Sequence, residues 1–192
     1  MSAKAVFLDR DGTLNEDPGY IGDPKDVVLL PGVIEALSKL KNKLGYLLII
    51  ITNQSGIARG LITDEQVKAV NRKITSILSD HNITVDGVYY CPAHPDFSNF
   101  EECECRKPSP KMILDAAAAF NIELSNSYLI GDSVSDIESG INAGVKTILV
   151  KTGNGAESIY ILQNQNKFPS FVADNIIDAG NFIESNSYGE IL

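Results

Sequence analysis

Lys4-Ala5-Val6-Phe7-Leu8-Asp9-Arg10-Asp11-Gly12-Thr13-Leu14 is the stretch on which the reading of this chain turns. Ala5 to Leu8 is apolar and of strand length. It delivers two aspartates two residues apart, then a glycine and a threonine. In a strand, residues i and i+2 point to the same side. A strand ending here therefore aims the Asp9 and Asp11 carboxylates at one point beyond its carboxyl edge, where ligands bind in open α/β sheets. One carboxylate can attack an electrophile while the other carries a proton. Gly12 lets the chain turn sharply after the pair. Taken alone, the segment also reads as an Asp-Gly surface turn. The rest of the chain separates the two readings.

Outward from this stretch, strand and helix patterns alternate. Pro31 opens a helix with Val33, Leu37, Leu40 and Leu44 on one face, closed by Gly45. Tyr46–Ile51 is a nearly continuous apolar run, as in a strand covered on both faces. Thr63 with Gln66 three residues on is a capping-box pattern. The helix it starts carries Val67, Val70, Ile74 and Ile77 inward. Val85–Tyr90 reads as a third strand, followed by a cysteine-containing loop from Cys91 to Pro108. A helix over Pro110–Phe120, a strand at Tyr128–Ile130, a helix over Val134–Ala143 and a strand at Thr147–Val150 come next. Ser158–Gln163 reads as a short helix, Phe171–Ala173 as an edge strand and Ile176–Ile183 as a last helix. The order predicts an α/β fold: a doubly wound, mostly parallel sheet with helices on both faces. Residues 1–184 form one expected domain with no large cap, and 185–192 an expected frayed polar tail.

Composition narrows the function. The 192 residues are 44% hydrophobic, enough for one well-buried core, and carry a net charge of −9. That charge argues against nucleic acid as a partner, which needs clustered Lys and Arg. The most apolar run, Leu47–Ile51, is far short of a membrane span, and no signal-peptide h-region opens the chain. The expectation is a cytoplasmic protein, a monomer, with no membrane partner.

Each polar motif directly follows a predicted strand. Asp9 and Asp11 follow the first, Thr52-Asn53-Gln54-Ser55-Gly56 the second, and Gly131-Asp132-Ser133-Val134-Ser135-Asp136 the fourth. Parallel strands bring their carboxyl ends to one edge, so motifs far apart in sequence converge. Thr52 and Asn53 alone fit strand-end turn chemistry, and Asp132 alone fits an N-cap. Together they suit phosphoryl transfer, with a hydroxyl, amides and backbone N–H groups for phosphate oxygens. Two carboxylates about 4 Å apart repel by roughly 4 kcal/mol at an effective dielectric near 20. Converging acids therefore call for a cation, and Mg²⁺ prefers a few carboxylates, waters and phosphate oxygens. Lys107 can supply a second positive charge.

The segments Asp9-Arg10-Asp11-Gly12-Thr13, Thr52-Asn53-Gln54-Ser55-Gly56-Ile57-Ala58-Arg59-Gly60, Cys103-Glu104-Cys105-Arg106-Lys107-Pro108 and Gly131-Asp132 resemble the haloacid dehalogenase (HAD) superfamily. Within it they are similar to the heptose bisphosphate phosphatases, relatives of the histidinol-phosphate phosphatases. The resemblance implies a Rossmann-like HAD fold and a Mg²⁺-dependent phosphatase acting on a small phosphorylated sugar. It implies that Asp9 is the nucleophile, forming an aspartyl-phosphate, and that Asp11 is the acid and base. It further implies that Thr52 and Lys107 hold the phosphoryl oxygens. Mg²⁺ would sit on the Asp9 carboxylate, the Asp11 carbonyl and Asp132. Asp17, Gly19 and Tyr20 would contact substrate from a loop, and Asn53, Gln54, Ser55 and Arg106 would complete the sugar-phosphate site. Ser133 stands where close relatives often carry lysine. Histidinol-phosphate phosphatase, polynucleotide 3′-phosphatase and a non-catalytic sugar-phosphate-binding protein are the competing readings. The intact set Asp9, Asp11, Lys107 and Asp132 argues against the last, because binding alone requires no nucleophile.

The three cysteines, Cys91, Cys103 and Cys105, all lie in one loop beside His94. With no export signal, a metal is the expected use rather than a disulfide framework. The expected site is a closed, tetrahedral, structural Zn²⁺ with Cys91, His94, Cys103 and Cys105 as ligands. Family members usually show Cys-x-His, and here Ala93 occupies that place, with His94 one residue late.

Overall fold

A computed structural model describes residues 2–188. Among the described residues, six strands form one sheet in the order β3-β2-β1-β4-β5-β6, every pair parallel. They are β1 (Ala5–Leu8), β2 (Leu47–Asn53), β3 (Gly87–Cys91), β4 (Tyr128–Gly131), β5 (Lys146–Val150) and β6 (Phe171–Ala173). Six α-helices alternate with them: α1 (Val33–Ser38), α2 (Asp64–Asp80), α3 (Lys111–Phe120), α4 (Val134–Ala143), α5 (Gly155–Asn164) and α6 (Ile176–Tyr188). This is the predicted doubly wound sheet. The chain winds one way from β1 to β3 and the other way from β4 to β6. That reversal opens a crevice between β1 and β4, at the carboxyl ends of the strands.

The central strands are apolar throughout because both faces are covered. Val6 and Leu8 of β1 face one core with α1, α2 and α6, through Leu37, Ile74 and Ala179 among others. Ala5 and Phe7 face the opposite core with α3 and Val145, and all four strand residues are fully buried. Burying a side chain the size of Leu or Phe contributes about 1.5–3 kcal/mol. The short strand β1 is thus locked from both sides, and it fixes where Asp9 begins.

Helix starts follow the local signals. The Thr63 hydroxyl accepts from Gln66 N while the Gln66 side chain accepts from Thr63 N, completing the predicted capping box. Ser133 and Asp136 form a second one at the start of α4, which the composition of the motif had hidden. Other boundaries move. The helix expected from Pro31 begins at Val33, and after Ser38 it widens into a π-turn over Lys39–Lys43. The short helix expected at Ser158–Gln163 runs from Gly155 to Asn164. α6 continues to Tyr188, past the expected start of the polar tail at Ser185. Ser185, Asn186 and Ser187 donate to the carbonyls four residues back, and Ser187 Oγ lies 3.2 Å from Tyr46 Oη. Residues 189–192 of the expected tail lie outside the described residues. No helix among the described residues is long and apolar enough to cross a membrane.

Candidate active site

A cavity of about 340 Å³ opens at the carboxyl edge of the sheet. Asp9, Asp11, Asp17, Gly19, Tyr20, Thr52, Asn53, Gln54, Ser55, Lys107 and Asp132 all line it. Most of the candidate residues are therefore brought together. Arg106 is absent from the lining. It is half-buried, and its Nη1 donates to the Ala93 carbonyl at 3.1 Å.

The reason Asp9 and Asp11 share the cavity is not the strand period. β1 ends at Leu8, and the Asp9 amide donates to the Ile130 carbonyl of β4. The chain then folds into a tight loop in which the amides of Thr13, Leu14 and Asn15 all reach the Arg10 carbonyl. Gly12 adopts φ +80°, and a Cβ there would overlap the Asp132 carboxylate. Gly153 makes the same close approach from the other side. Two glycines thus let the backbone press against the acid that enters from β4.

Lys107 is the electrostatic centre. Its Nζ donates to Asp9 Oδ1 at 2.6 Å, to Asp136 Oδ1 at 2.5 Å and to the Ile51 carbonyl at 3.1 Å, which uses all three of its protons. Asn53 fixes the Lys107 backbone, accepting from its amide and donating to its carbonyl. Asp136 is fully buried and also accepts from Ser133 N and Ser133 Oγ. No role had been assigned to Asp136 from sequence. The available signal was its capping-box spacing after Ser133, four residues beyond Asp132. Ser133 lines the cavity, but its hydroxyl is committed to the α4 cap and to Asp136.

Burial, more than any single neighbour, pushes the Asp9 pKa well above the usual carboxylate range, and Asp136 and Asp132 add to it against the pull of Lys107. Asp132 is raised to about 6, again by burial first and Asp136 second. Asn154 opposes this with a backbone N–H donated to Asp132 Oδ2 at 2.7 Å. Burial works against the charge on Lys107, but Asp136 and Asp9 outweigh it and hold its pKa above the ordinary lysine value. Burial also raises Asp17, whose carboxylate accepts from Gly19 N.

Oxygens of Asp9, Asp132 and Asp136 lie within 4.8 Å of one another. Three buried acids share one lysine, so the cluster is short of positive charge. The hard oxygen donors and the glycine-lined approach to Asp132 fit Mg²⁺. The shifts set a pH signature. A carboxyl whose folded pKa lies above its unfolded value stabilises the fold fully below the unfolded pKa. That contribution disappears as pH rises through the folded value. For Asp132 the window runs from 3.8 to about 6, and Asp9 extends it upward. Without divalent metal, thermal stability should therefore begin to fall above about pH 4 and go on falling past pH 6. Added Mg²⁺ should raise the melting temperature more at pH 8 than at pH 5. Equal Mg²⁺ shifts at both would show that the acids do not hold the ion.

The cysteine loop departs from the zinc expectation. Cys91 and Cys105 are joined as a disulfide, and Cys103 is left free. His94 turns away, with Nε2 2.7 Å from Arg59 Nη2 and its ring against Phe97. In this arrangement two of the four expected ligands bond to each other at the end of β3 and His94 packs on Arg59 and Phe97, so no zinc site is seen among the described residues. A thiol count in denaturant with elemental analysis separates the two arrangements: one thiol without zinc marks the disulfide. Three thiols with zinc bound near one per chain would reinstate the metal site.

The fold and this acid–lysine–hydroxyl cavity define a HAD-type phosphohydrolase, and a family model described as HAD-hydrolase-like matches residues 104–179. A D-glycero-β-D-manno-heptose-1,7-bisphosphate 7-phosphatase of Yersinia pestis is 44% identical over 156 residues, covering 79% of this chain and 82% of that protein. The protein so named from Pasteurella multocida is 41% identical over 184 residues, 94% of this chain and 97% of its own length. The crystal structure of a D,D-heptose 1,7-bisphosphate phosphatase from B. bronchiseptica, complexed with magnesium and phosphate, superposes with a TM-score of 0.84. It is 30% identical and covers 95% of this chain and 99% of that one. The chain belongs to the heptose-1,7-bisphosphate 7-phosphatase family.

Proposed function

We propose that this enzyme removes the 7-phosphate from D-glycero-D-manno-heptose 1,7-bisphosphate. The observation that carries the chemistry is the Asp9 carboxylate, held at 2.6 Å by Lys107 in a cavity that also presents Thr52 and Asp11. The family membership carries the substrate.

The residues divide the work as follows. An oxygen of Asp9 attacks phosphorus, and the bond from phosphorus to the sugar oxygen breaks. Asp11 gives its proton to that leaving oxygen. Water then attacks the phosphoryl-aspartate, Asp11 takes the water's proton, and inorganic phosphate leaves with Asp9 restored. Gln54 Nε2 donates to Thr52 Oγ1 at 2.9 Å, so the Thr52 hydroxyl proton is free to point at a phosphoryl oxygen. Lys107 spreads positive charge over the same oxygens. The residues that would hold Mg²⁺ are Asp9, Asp132 and the Asp11 carbonyl. Bound there, the ion supplies charge neutralisation of the transferring group. Asp17, Gly19, Tyr20, Asn53 and Ser55 face the sugar. Arg106 approaches from the rim, after its side chain leaves Ala93.

This reading places the enzyme in the cytoplasm, acting as a monomer on a small phosphosugar. The net charge of −9 supports a small substrate over nucleic acid. Phosphate release from both anomers of the heptose bisphosphate, from histidinol phosphate and from a 3′-phosphorylated oligonucleotide tests it. Highest kcat/KM is expected on a heptose bisphosphate. A higher value on either of the other substrates would replace the assignment.

A further inference from the structure

Arg10 lies between the two catalytic acids, and the reaction as written does not use it. It is nevertheless the bulkiest of the fully buried side chains, 1% exposed. Its Nε donates to Asp11 Oδ1 at 3.0 Å and its Nη2 to Asp11 Oδ2 at 2.8 Å, a two-point contact between planar groups. Its Nη1 donates to Asn71 Oδ1 at 3.0 Å, on the buried face of α2. Two further donors complete the shell of Asp11. They are Asn15 Nδ2 on Oδ1 at 2.9 Å and Gln54 Nε2 on Oδ2 at 2.8 Å. The same Gln54 nitrogen donates to Thr52 Oγ1. A continuous chain of contacts therefore runs from the buried Asn71 through Arg10, Asp11 and Gln54 to Thr52.

Stability does not account for this arrangement. A buried ion pair is commonly no better for folding than apolar side chains of the same volume. What a guanidinium supplies, and an ammonium does not, is a fork that fixes the plane of a carboxylate as well as its position. We propose that Arg10 is a positioning residue. Anchored on Asn71, it sets the direction of the Asp11 carboxylate and, through Gln54, ties it to the frame that holds Thr52. The inference rests on the reading of Asp11 as the proton carrier.

The test is a double-mutant cycle on any phosphomonoester that the wild type hydrolyses and Asp9→Asn does not, so a wrong sugar leaves it readable. Arg10→Met should lower kcat about a hundredfold with KM little changed, the size expected when a reacting group is misplaced by about 1 Å. Arg10→Lys should not restore the rate, because it lacks the two-point contact. In an Asp11→Asn background, Arg10→Met should cost nothing further. In single turnovers, the loss should be larger on an alkyl phosphate, whose leaving oxygen needs the proton, than on an aryl phosphate. Wild-type kcat in Arg10→Met, an undiminished loss in the Asp11→Asn background, or equal losses on the two phosphates would each overturn the proposal. Should Arg10→Met fail to fold, Asn71→Leu keeps the ion pair and removes only its anchor. The same cycle should then give a smaller loss that again vanishes with Asp11→Asn, and an undiminished loss would overturn it. Failure of the underlying reading is seen separately, as Asp11→Asn with wild-type turnover, and would take this inference with it.

Discussion

Asp9→Asn should abolish turnover, lowering kcat by at least about 10⁴-fold, while leaving the fold intact. The amide keeps an oxygen toward Lys107, and that lysine retains its bond to Asp136. What disappears is the nucleophile. The variant also loses one of three converging acids, whose ionisation burial and two acidic neighbours oppose. Its melting temperature without Mg²⁺ should therefore match or exceed that of the wild type near pH 8. Phosphate release, circular dichroism and a thermal melt read the three quantities. Acid-quenched enzyme should retain label from a phosphoryl-labelled substrate in the wild type and not in the variant. Mg²⁺-dependent turnover near wild type in Asp9→Asn would rule out the covalent route.

Lys107→Met should have the opposite effect on stability. Nζ is the hub of three bonds inside the protein, and its side chain is only 2% exposed. Methionine fills the space and leaves Asp9 and Asp136 buried without their counter-charge. Removing one partner from a buried ion pair costs about 3–5 kcal/mol. The sign of the pH dependence follows from the acids. Loss of the lysine removes the charge that lowers the Asp9 pKa, so the variant's stability is best preserved at low pH and falls as pH rises. Urea unfolding at pH 5 and pH 8 should show a gap from wild type that is wider at pH 8. Adding Asp136→Asn to Lys107→Met should recover stability but not activity. A variant as stable as wild type at pH 8 would mean that the buried acids are neutral without the lysine. Turnover should fall by about 10²–10³-fold, since the positive charge beside the transferring group and the hold on Asp9 are gone.

Much of the site was legible because it sits at strand ends. Apolar runs with a polar residue directly after them located Asp9, Thr52 and Asp132, and parallel pairing did the rest. Lys107 was legible only through its motif, since nothing in local pattern says that a loop lysine will be buried against β1 and α4. Asp136 and Arg10 were missed for a common reason. Each has a partner from a distant segment, Lys107 for Asp136 and Asn71 for Arg10, and a charged residue in sequence looks solvated until a fold closes over it. Strand periodicity put Asp9 and Asp11 on one side, which is where they are, but the loop after Leu8 placed them there. The cysteine loop marks the limit of reading by spacing. Three sulfurs and a histidine within a short segment suggest a metal, yet spacing does not say which sulfur faces which.

By itself, the sequence determined the parallel α/β sheet and the strand ends that carry Asp9, Thr52 and Asp132 to one edge. It could do so because hydrophobic period and turn residues act locally, and β–α alternation forces parallel pairing. Only the tertiary structure decided which charges are packed together. It set Lys107 between Asp9 and Asp136, Asn154 on Asp132, Arg10 across the Asp11 carboxylate and Cys91 on Cys105. Those pairings depend on distances of a few ångströms between segments far apart in the chain. Electrostatics and hydrogen bonding act over such distances only after packing has excluded water.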